Sequence, residues 1–140
     1  MYDARDHICF NIGRVMRRMY DYYGQRLSPL FLTPPQYFVF NALWMGDGIS
    51  VSELGERVFL DSSTLTGIVD RMENNDYVER RPNPDDRRSV LVFLTAKARE
   101  LGPQILKFAD ELDASLRHSF PKEEMNAFEQ VLRALAEMPY

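Results

Sequence analysis

Residues 77–95, YVERRPNPDDRRSVLVFLT, carry the most informative pattern in this chain. Two short stretches rich in Val, Tyr, Phe and Leu lie on either side of a proline-rich segment, a pattern that is typical of two β-strands and the turn between them. We therefore predict a β-hairpin with strands at 77–81 and 89–94 and a rigid, charged turn at 82–86. The strands and the tip carry four arginines: Arg80, Arg81, Arg87 and Arg88.

The residues before this hairpin predict a helix with one slim polar face. Asp61 is a good N-cap, and Asn74-Asn75-Asp76 ends the helix. One apolar stripe predicts the buried side: Leu65, Ile68, Val69 and Met72. At about 100° per residue, the opposite side carries small polar residues and a glycine: Ser63, Thr66, Gly67, Asp70 and Asn74. Such a thin face suits a helix that approaches base edges in the major groove of DNA.

Capping signals predict two more helices upstream. Residues 33–36, TPPQ, form a capping box with proline at the first helical position and open a helix through Trp44, which residues 46–48 end. Residues 50–53, SVSE, form a second capping box and open a short helix to about Val58. Helical spacing predicts an amphipathic N-terminal helix from Ile8, Ile12, Val15, Met16, Met19, Tyr23 and Leu27.

Two helices follow the hairpin. Thr95 caps a long one, which Gly102-Pro103 is expected to bend, and Pro121 starts the last. The predicted fold class is mainly α (α+β): a winged helix-turn-helix lobe at about 30–100, flanked by helices at about 1–29 and 101–140 of a single domain, 1–140. The flanking helices have more apolar residues than one small domain needs, which predicts a dimer interface. Its candidate residues are Ile8, Ile12, Leu112, Leu116, Phe128, Leu132 and Leu135.

Composition permits a nucleic-acid partner despite a net charge of −4. Residues 1–99 hold 13 Lys/Arg and 13 Asp/Glu, whereas residues 100–140 hold 4 and 8, so the excess of negative charge lies at the C-terminal end. Local clustering of charge decides DNA binding. No apolar run approaches the roughly 20 residues of a membrane span, and residues 1–6 lack the pattern of a secretory signal. We expect a cytoplasmic protein with no membrane partner.

The helix after Asp61 and the hairpin together form the candidate DNA-binding surface. An arginine at a hairpin tip suits the negative potential of a narrow minor groove. Asp70 would be repelled by phosphates unless it accepts from a cytosine amine or pairs with an arginine. The full candidate set is Ser52, Ser62, Ser63, Thr64, Thr66, Gly67, Arg71, Arg80, Asp86, Arg87 and Arg88. The alternative is a solvated polar helix and a solvated charged hairpin.

The sequence resembles the MarR family of bacterial regulators over nearly its whole length. The resemblance is carried by residues 32–37 (LTPPQY), 51–57 (VSELGER), 60–66 (LDSSTLT) and 84–95 (PDDRRSVLVFLT). It implies a triangular homodimer, built from the first and last helices, with two lobes that read a pseudo-palindromic operator. We hypothesise that the dimer represses transcription by covering a promoter. Half-sites are expected about one helical turn apart. The resemblance further implies that Arg88 is the minor-groove arginine of the wing and that Asp86 orients it.

The sequence leaves two kinds of effector as alternatives. Cys9, the one cysteine in the chain, is placed like the reactive thiol of the organic-hydroperoxide-sensing branch, and Tyr23 matches a tyrosine that supports it from the partner subunit. Pro34 and Gly13 replace two further tyrosines of that branch, and a cysteine beside an apolar stripe is also a common packed residue. The other effector is a small aromatic or amphipathic ligand in a cavity that these aromatic residues could line: Tyr20, Tyr22, Tyr23, Phe31, Tyr37 and Trp44.

Other classes of protein have weaker support. The sequence has no glycine-rich phosphate loop, nucleophile elbow or recognisable pair of catalytic carboxylates, so we do not expect an enzyme. His7 and His118 are too few for a metal site, and no cofactor is expected. The alternative class is a winged-helix adaptor that binds proteins and not DNA, but such an adaptor has no need of arginines concentrated on the hairpin.

Overall fold

The computed structural model describes residues 3–140 and has six α-helices and three strands in them. In chain order these are α1 (Ile8–Leu27), α2 (Pro34–Met45), β1 (Ile49–Ser50), α3 (Val51–Val58), α4 (Ser62–Asn74), β2 (Val78–Asn83), β3 (Asp86–Leu94), α5 (Ala96–Ser119) and α6 (Lys122–Glu137). They form two compact units, one up to Ile105 and one at Leu106–Tyr140. The first unit contains the helix-turn-helix, α3 and α4, followed by the β2–β3 hairpin, which is the predicted winged helix.

The predicted capping box of α2 is confirmed. Thr33 Oγ1 accepts from the Gln36 backbone N–H at 3.5 Å, and Gln36 Oε1 accepts from the Thr33 N–H at 3.1 Å. The capping box predicted for α3 is only half formed. Ser50 Oγ accepts from the Glu53 N–H at 3.1 Å, but the Glu53 carboxylate binds Arg57 at 2.9 Å. A charged donor one turn along the helix offers this carboxylate a stronger partner than the Ser50 N–H.

The hairpin has longer strands and a shorter turn than predicted. The ladder of β2 extends to Asn83, which pairs with Asp86, so only Pro84 and Asp85 lie between the paired residues and the predicted turn at 82–86 was too wide. We call residues 83–88 the tip of the hairpin. The strand order is β1-β3-β2, and Pro82 is tolerated because β2 is an edge strand. Asn83 braces the tip, since its Oδ1 accepts from the Asp85 N–H and its Nδ2 donates to Ser89 Oγ, both at 3.0 Å.

The third strand, β1, was not predicted. Ile49 pairs with Val92 in antiparallel register, and two residues are too short to show a period. Gly48, just before it, has φ +72°, and its N–H donates to the Val92 carbonyl at 2.8 Å. A Cβ on Gly48 would lie 2.7 Å from Cε1 of Phe93, so both the backbone conformation and the contact require glycine.

The core of the first unit lies between α2, α3, α4 and the sheet. The predicted stripe of α4 is confirmed, with all four of its residues buried: Leu65, Ile68, Val69 and Met72. Tyr77 is 1% exposed, and its hydroxyl donates to the Leu30 carbonyl at 2.7 Å. Gly102 is buried where an added Cβ would lie 2.0 Å from Cζ3 of Trp44, so close packing explains this glycine in α5.

The second unit pairs the end of α5 with α6. Arg117 donates to Asp113 at 2.7 Å and also pairs with Glu129, which ties the two helices together. None of the described residues 106–140 is buried. Phe128 and Leu132 remain 52% and 43% exposed. On α1 of the first unit, the predicted interface residues Ile8 and Ile12 are exposed as well. None of the described helices is long and apolar enough to cross a membrane.

Candidate nucleic-acid interface

Helix α4, the candidate DNA-recognition helix and called the recognition helix below, begins at a strongly bonded cap. Asp61 accepts from the Thr64 N–H at 2.8 Å, from Ser63 Oγ at 2.7 Å and from Thr64 Oγ1 at 2.9 Å. The bond from the Thr64 N–H, followed by the two hydroxyls, lowers the pKa of Asp61 to about 2. Ser62, Ser63 and Thr64 are all exposed. Because the hydroxyls of Ser63 and Thr64 donate to this cap, each would have to rotate before it could donate to a phosphate.

The slim face of α4 is open to solvent as predicted. Thr66 is exposed, with its hydroxyl donating to the Ser62 carbonyl at 2.7 Å. A Cβ placed on Gly67 would meet nothing within 4 Å, so packing inside the chain does not require glycine there. Glycine in a helix costs up to about 1 kcal/mol relative to alanine. A glycine with free space around it therefore suits close approach by a partner.

Arg80 joins the hairpin to α4. Its Nη2 lies 2.6 Å from Asp70 Oδ1 and its Nη1 lies 3.0 Å from Glu73 Oε1. The sequence left two partners open for Asp70, and the structure provides an arginine. Sequence reasoning did not single out Glu73. Its position three residues after Asp70 was the available signal, because residues at i and i+3 lie on one side of a helix.

The arginines of the hairpin differ in what surrounds them. Arg81 pairs with Glu79, and its guanidinium lies 4.3 Å from the centre of the Phe93 ring. Arg87 and Arg88 at the tip are exposed, and neither forms an ion pair with a described residue. These two cations are therefore available to an external anion.

Asp86 orients the backbone of the tip. Its Oδ1 accepts from the Arg88 backbone N–H at 2.9 Å. We expected the carboxylate to hold the Arg88 side chain extended, but the bond that forms is to the main chain. This bond holds the backbone at the start of β3, and an orienting effect on the Arg88 side chain remains a prediction.

A cleft of about 370 Å³ lies next to the recognition helix. Its apolar lining comes from Tyr20, Pro35, Phe38, Val58, Leu60 and Ile68. Thr33, Thr64 and Arg71 supply its polar groups. Arg71, predicted as a phosphate contact, is exposed and also borders a second cleft of about 630 Å³ with Phe31. Ser52 is exposed on α3.

The aromatic residues expected around one cavity fall into separate groups. Tyr23 stacks on Tyr37 with ring centres 4.9 Å apart, and Phe38 joins this cluster at 5.5 Å from Tyr37. Trp44 instead stacks on Phe40 at 5.7 Å. Only Tyr20 of the expected set lines the 370 Å³ cleft, where Phe38 is a residue that the sequence did not single out.

Cys9 is a free, exposed thiol near the start of α1. The alternative of a packed core cysteine does not hold within the single chain, because this end of α1 has no buried residue. No group of three His, Cys, Asp or Glu residues in the described part of the chain could hold a metal ion.

Comparison with known proteins identifies the relatives of this chain. A profile of the MarR family matches residues 32–90. The chain is 40% identical over 94 residues to the HTH-type transcriptional regulator TtmR of Methylorubrum extorquens (strain PA1), covering 67% of this chain and 48% of the relative. It is 37% identical over 90 residues to the Organic hydroperoxide resistance transcriptional regulator of Bacillus subtilis (strain 168), covering 64% and 61%. The chain thus matches about half to three-fifths of the length of these relatives.

The fold also matches a solved structure over almost the full chain. A MarR transcriptional regulator from Methanosarcina mazei Go1 superposes with a TM-score of 0.81 at 29% identity. The match covers 94% of this chain and 98% of the other.

Proposed function

Because this chain belongs to the MarR family, we propose that it is a DNA-binding repressor that binds a pseudo-palindromic operator as a homodimer and leaves it when an effector binds. The observation that carries the proposal is the pair of exposed arginines Arg87 and Arg88 on the hairpin that follows α4, neither of which forms an ion pair with a described residue. The relatives are transcriptional regulators by name, and we propose no catalytic activity.

Each part of the surface has a distinct role in this proposal. The face of α4 that includes Thr66 and Gly67 enters the major groove, where a thin helix face can reach base edges. Arg88 enters the minor groove, oriented by the bond from its N–H to Asp86. Contacts from Ser52, Ser62 and Arg71 to phosphates position the lobe without reading sequence.

The homodimer is supported by exposed apolar surface. Ile8 and Ile12 in the first unit, and Phe128 and Leu132 in the second, are all at least 43% exposed. Leu112, Leu116 and Leu135 are half-buried at helical spacing. Large apolar patches on a chain mark interaction sites, and a twofold axis would present two identical lobes to two half-sites.

We propose the 370 Å³ cleft as the effector site, with a small aromatic carboxylate as its ligand. The rings of Tyr20 and Phe38 suit an aromatic body, and Arg71 suits a carboxylate at the rim. Ile68 and Thr64 of the recognition helix line the same cleft, so a ligand there would bear directly on α4. Oxidation of Cys9, supported by Tyr23 of a second copy, is the other trigger, favoured by exposure of the thiol.

Fluorescence anisotropy with a duplex selected by the wild-type protein from a random pool tests DNA binding. We expect affinity to fall steeply with salt, because each neutralised phosphate contributes about −0.9 to the slope of log K against log salt. An Arg87→Ala variant should reduce that slope by about one such step. Failure to select any duplex at low salt would refute repression by DNA binding and leave a protein-binding adaptor.

The two effectors are separated by one comparison. Cumene hydroperoxide and benzoate are each titrated against the preformed complex with the wild type and with Cys9→Ser. Release by peroxide that Cys9→Ser abolishes would assign the thiol, whereas release by benzoate in both proteins would assign the cleft. Equal peroxide responses in both proteins would remove Cys9 from the mechanism.

A further inference from the structure

Three residues form a carboxylate clamp between the recognition helix and the wing: Asp70, Glu73 and Arg80. Besides its two ion pairs, at 2.6 Å and 3.0 Å, Arg80 donates its backbone N–H to Glu73 Oε2 at 3.1 Å. Glu73 therefore bonds to both the backbone and the side chain of Arg80 on β2. The Arg80 side chain is 21% exposed, against 56% for Arg81 on the same strand.

The clamp controls charge on the face proposed to meet DNA. Asp70 lies on the polar side of α4, and its carboxylate is more than half exposed. A carboxylate facing phosphates is repelled, and like charges brought together at an interface oppose binding. Arg80 lies within hydrogen-bond distance of both carboxylates, so it offsets part of their charge where the DNA would approach.

The same geometry argues against Arg80 as a phosphate ligand. To reach a phosphate, the guanidinium would have to break its bonds to Asp70 and Glu73 and leave two carboxylates beside the polyanion. Arg87 at the tip faces no such cost, since it has no ion pair with a described residue. The two arginines thus differ in role although both are on the hairpin.

We propose that Arg80 is a positioning residue for DNA binding, which offsets part of the charge of Asp70 and Glu73 while it is bonded to them, and that it does not itself contact the phosphates. This inference rests on the proposed function. It changes the role predicted for Arg80 from sequence. It also explains how an acidic residue is tolerated on a recognition helix, because a hydrogen-bonded carboxylate–guanidinium group presents directional bonds in place of a free negative charge.

Removal of the carboxylates in three backgrounds tests the proposal. The substitutions Asp70→Asn and Glu73→Gln are combined and introduced into the wild type, Arg80→Ala and the matched control Arg87→Ala. Affinity for the selected duplex is measured by anisotropy over a series of salt concentrations. Circular dichroism melts and sedimentation confirm that each variant is folded and has the wild-type oligomeric state.

We expect Arg80→Ala to weaken binding about tenfold or more, because it exposes two carboxylates to the DNA. The carboxylate substitutions should restore the Arg80→Ala variant to within about threefold of wild type and leave the Arg87→Ala variant weak. The salt slope of the rescued variant should equal that of wild type, whereas Arg87→Ala lowers it by about 0.9. A role limited to tying β2 to α4 would not be rescued by removing the carboxylates, so the rescue of Arg80→Ala separates charge offset from a purely structural role.

The proposal would be overturned if the carboxylate substitutions raised the affinity for DNA equally in all three backgrounds. That result would mean that they act only through the net charge of the protein and not through Arg80. A rescued variant that stays as weak as Arg80→Ala, with a reduced slope, would show direct phosphate contact and overturn it too. Both results require a wild type that binds the duplex. A wild type that binds no duplex would instead refute the proposed function together with the clamp.

Discussion

Substituting Gly102 with alanine is expected to destabilise the protein, although alanine is the better helix former. An alanine Cβ would lie 2.0 Å from Cζ3 and 2.2 Å from Cη2 of Trp44. Carbon atoms in contact are about 3.5–4.0 Å apart, so the indole would have to retreat by roughly 1.5 Å. Trp44 is stacked on the fully buried ring of Phe40, so that movement disturbs a second contact.

The size of the effect follows from two opposing contributions. Overpacking of this kind costs about 1–3 kcal/mol, and replacing a helical glycine with alanine returns about 1 kcal/mol. We therefore expect Gly102→Ala to lower the free energy of unfolding by about 1 kcal/mol. In a Trp44→Leu background the overlapping ring atoms are gone, and the same substitution should raise the free energy of unfolding by about 0.5–1 kcal/mol.

Urea denaturation followed by circular dichroism measures both differences. The concentration of protomer is held constant, because association would shift the apparent stability. An unchanged m-value shows that the same surface is exposed in each variant. A stabilising Gly102→Ala in the wild-type background, or the same change in both backgrounds, would refute the contact between Gly102 and Trp44 as the reason for glycine.

Three further outcomes can be measured on the first unit. Tyr77→Phe removes the 2.7 Å bond to the Leu30 carbonyl and should cost about 1 kcal/mol in urea denaturation; no loss would show that the bond contributes nothing. Gly48→Ala forces a side chain to φ +72° against Phe93 and should cost about 1–3 kcal/mol in the same assay, and a neutral result would contradict the packing described. The carboxyl of Asp61 should titrate near pH 2 in a carbon-13 NMR experiment, because the N-cap bonds favour its charged form. Its pKa is lowered on folding, so the stability it contributes is complete above pH 3.8 and is lost as the pH falls through about 2; a pKa near 3.8 would contradict the cap.

Local signals in the sequence predicted the local structure well. The N-cap at Asp61, the capping box at Thr33 and the buried stripe of α4 depend on residues within a few positions of one another. The sequence failed where the cause lies far along the chain. The strand β1 exists because Ile49 pairs with Val92, and Gly102 is small because of Trp44.

In the candidate site, too, the sequence predicted local features but not those that depend on distant residues. Residue type and order predicted four arginines on a hairpin, but all four look alike in a sequence. Their surroundings separate them, since Arg80 and Arg81 have carboxylate partners and Arg87 and Arg88 at the tip have none in the described chain. The partner of Arg81 is local, two residues away on β2, whereas the partners of Arg80 depend on the packing of α4 on β2, which no local pattern encodes.

Hydroxyl-radical footprinting of the selected duplex, with the wild type and an Arg88→Ala variant at saturating protein, tests whether the hairpin and α4 contact DNA as proposed. For the wild type we predict two symmetric half-sites about one helical turn apart, each with a protected patch in the minor groove. Arg88→Ala should lose the minor-groove protection, while methylation protection at major-groove guanines persists. Unchanged minor-groove protection in the variant, or a single patch without a symmetric mate, would contradict the proposed mode of binding.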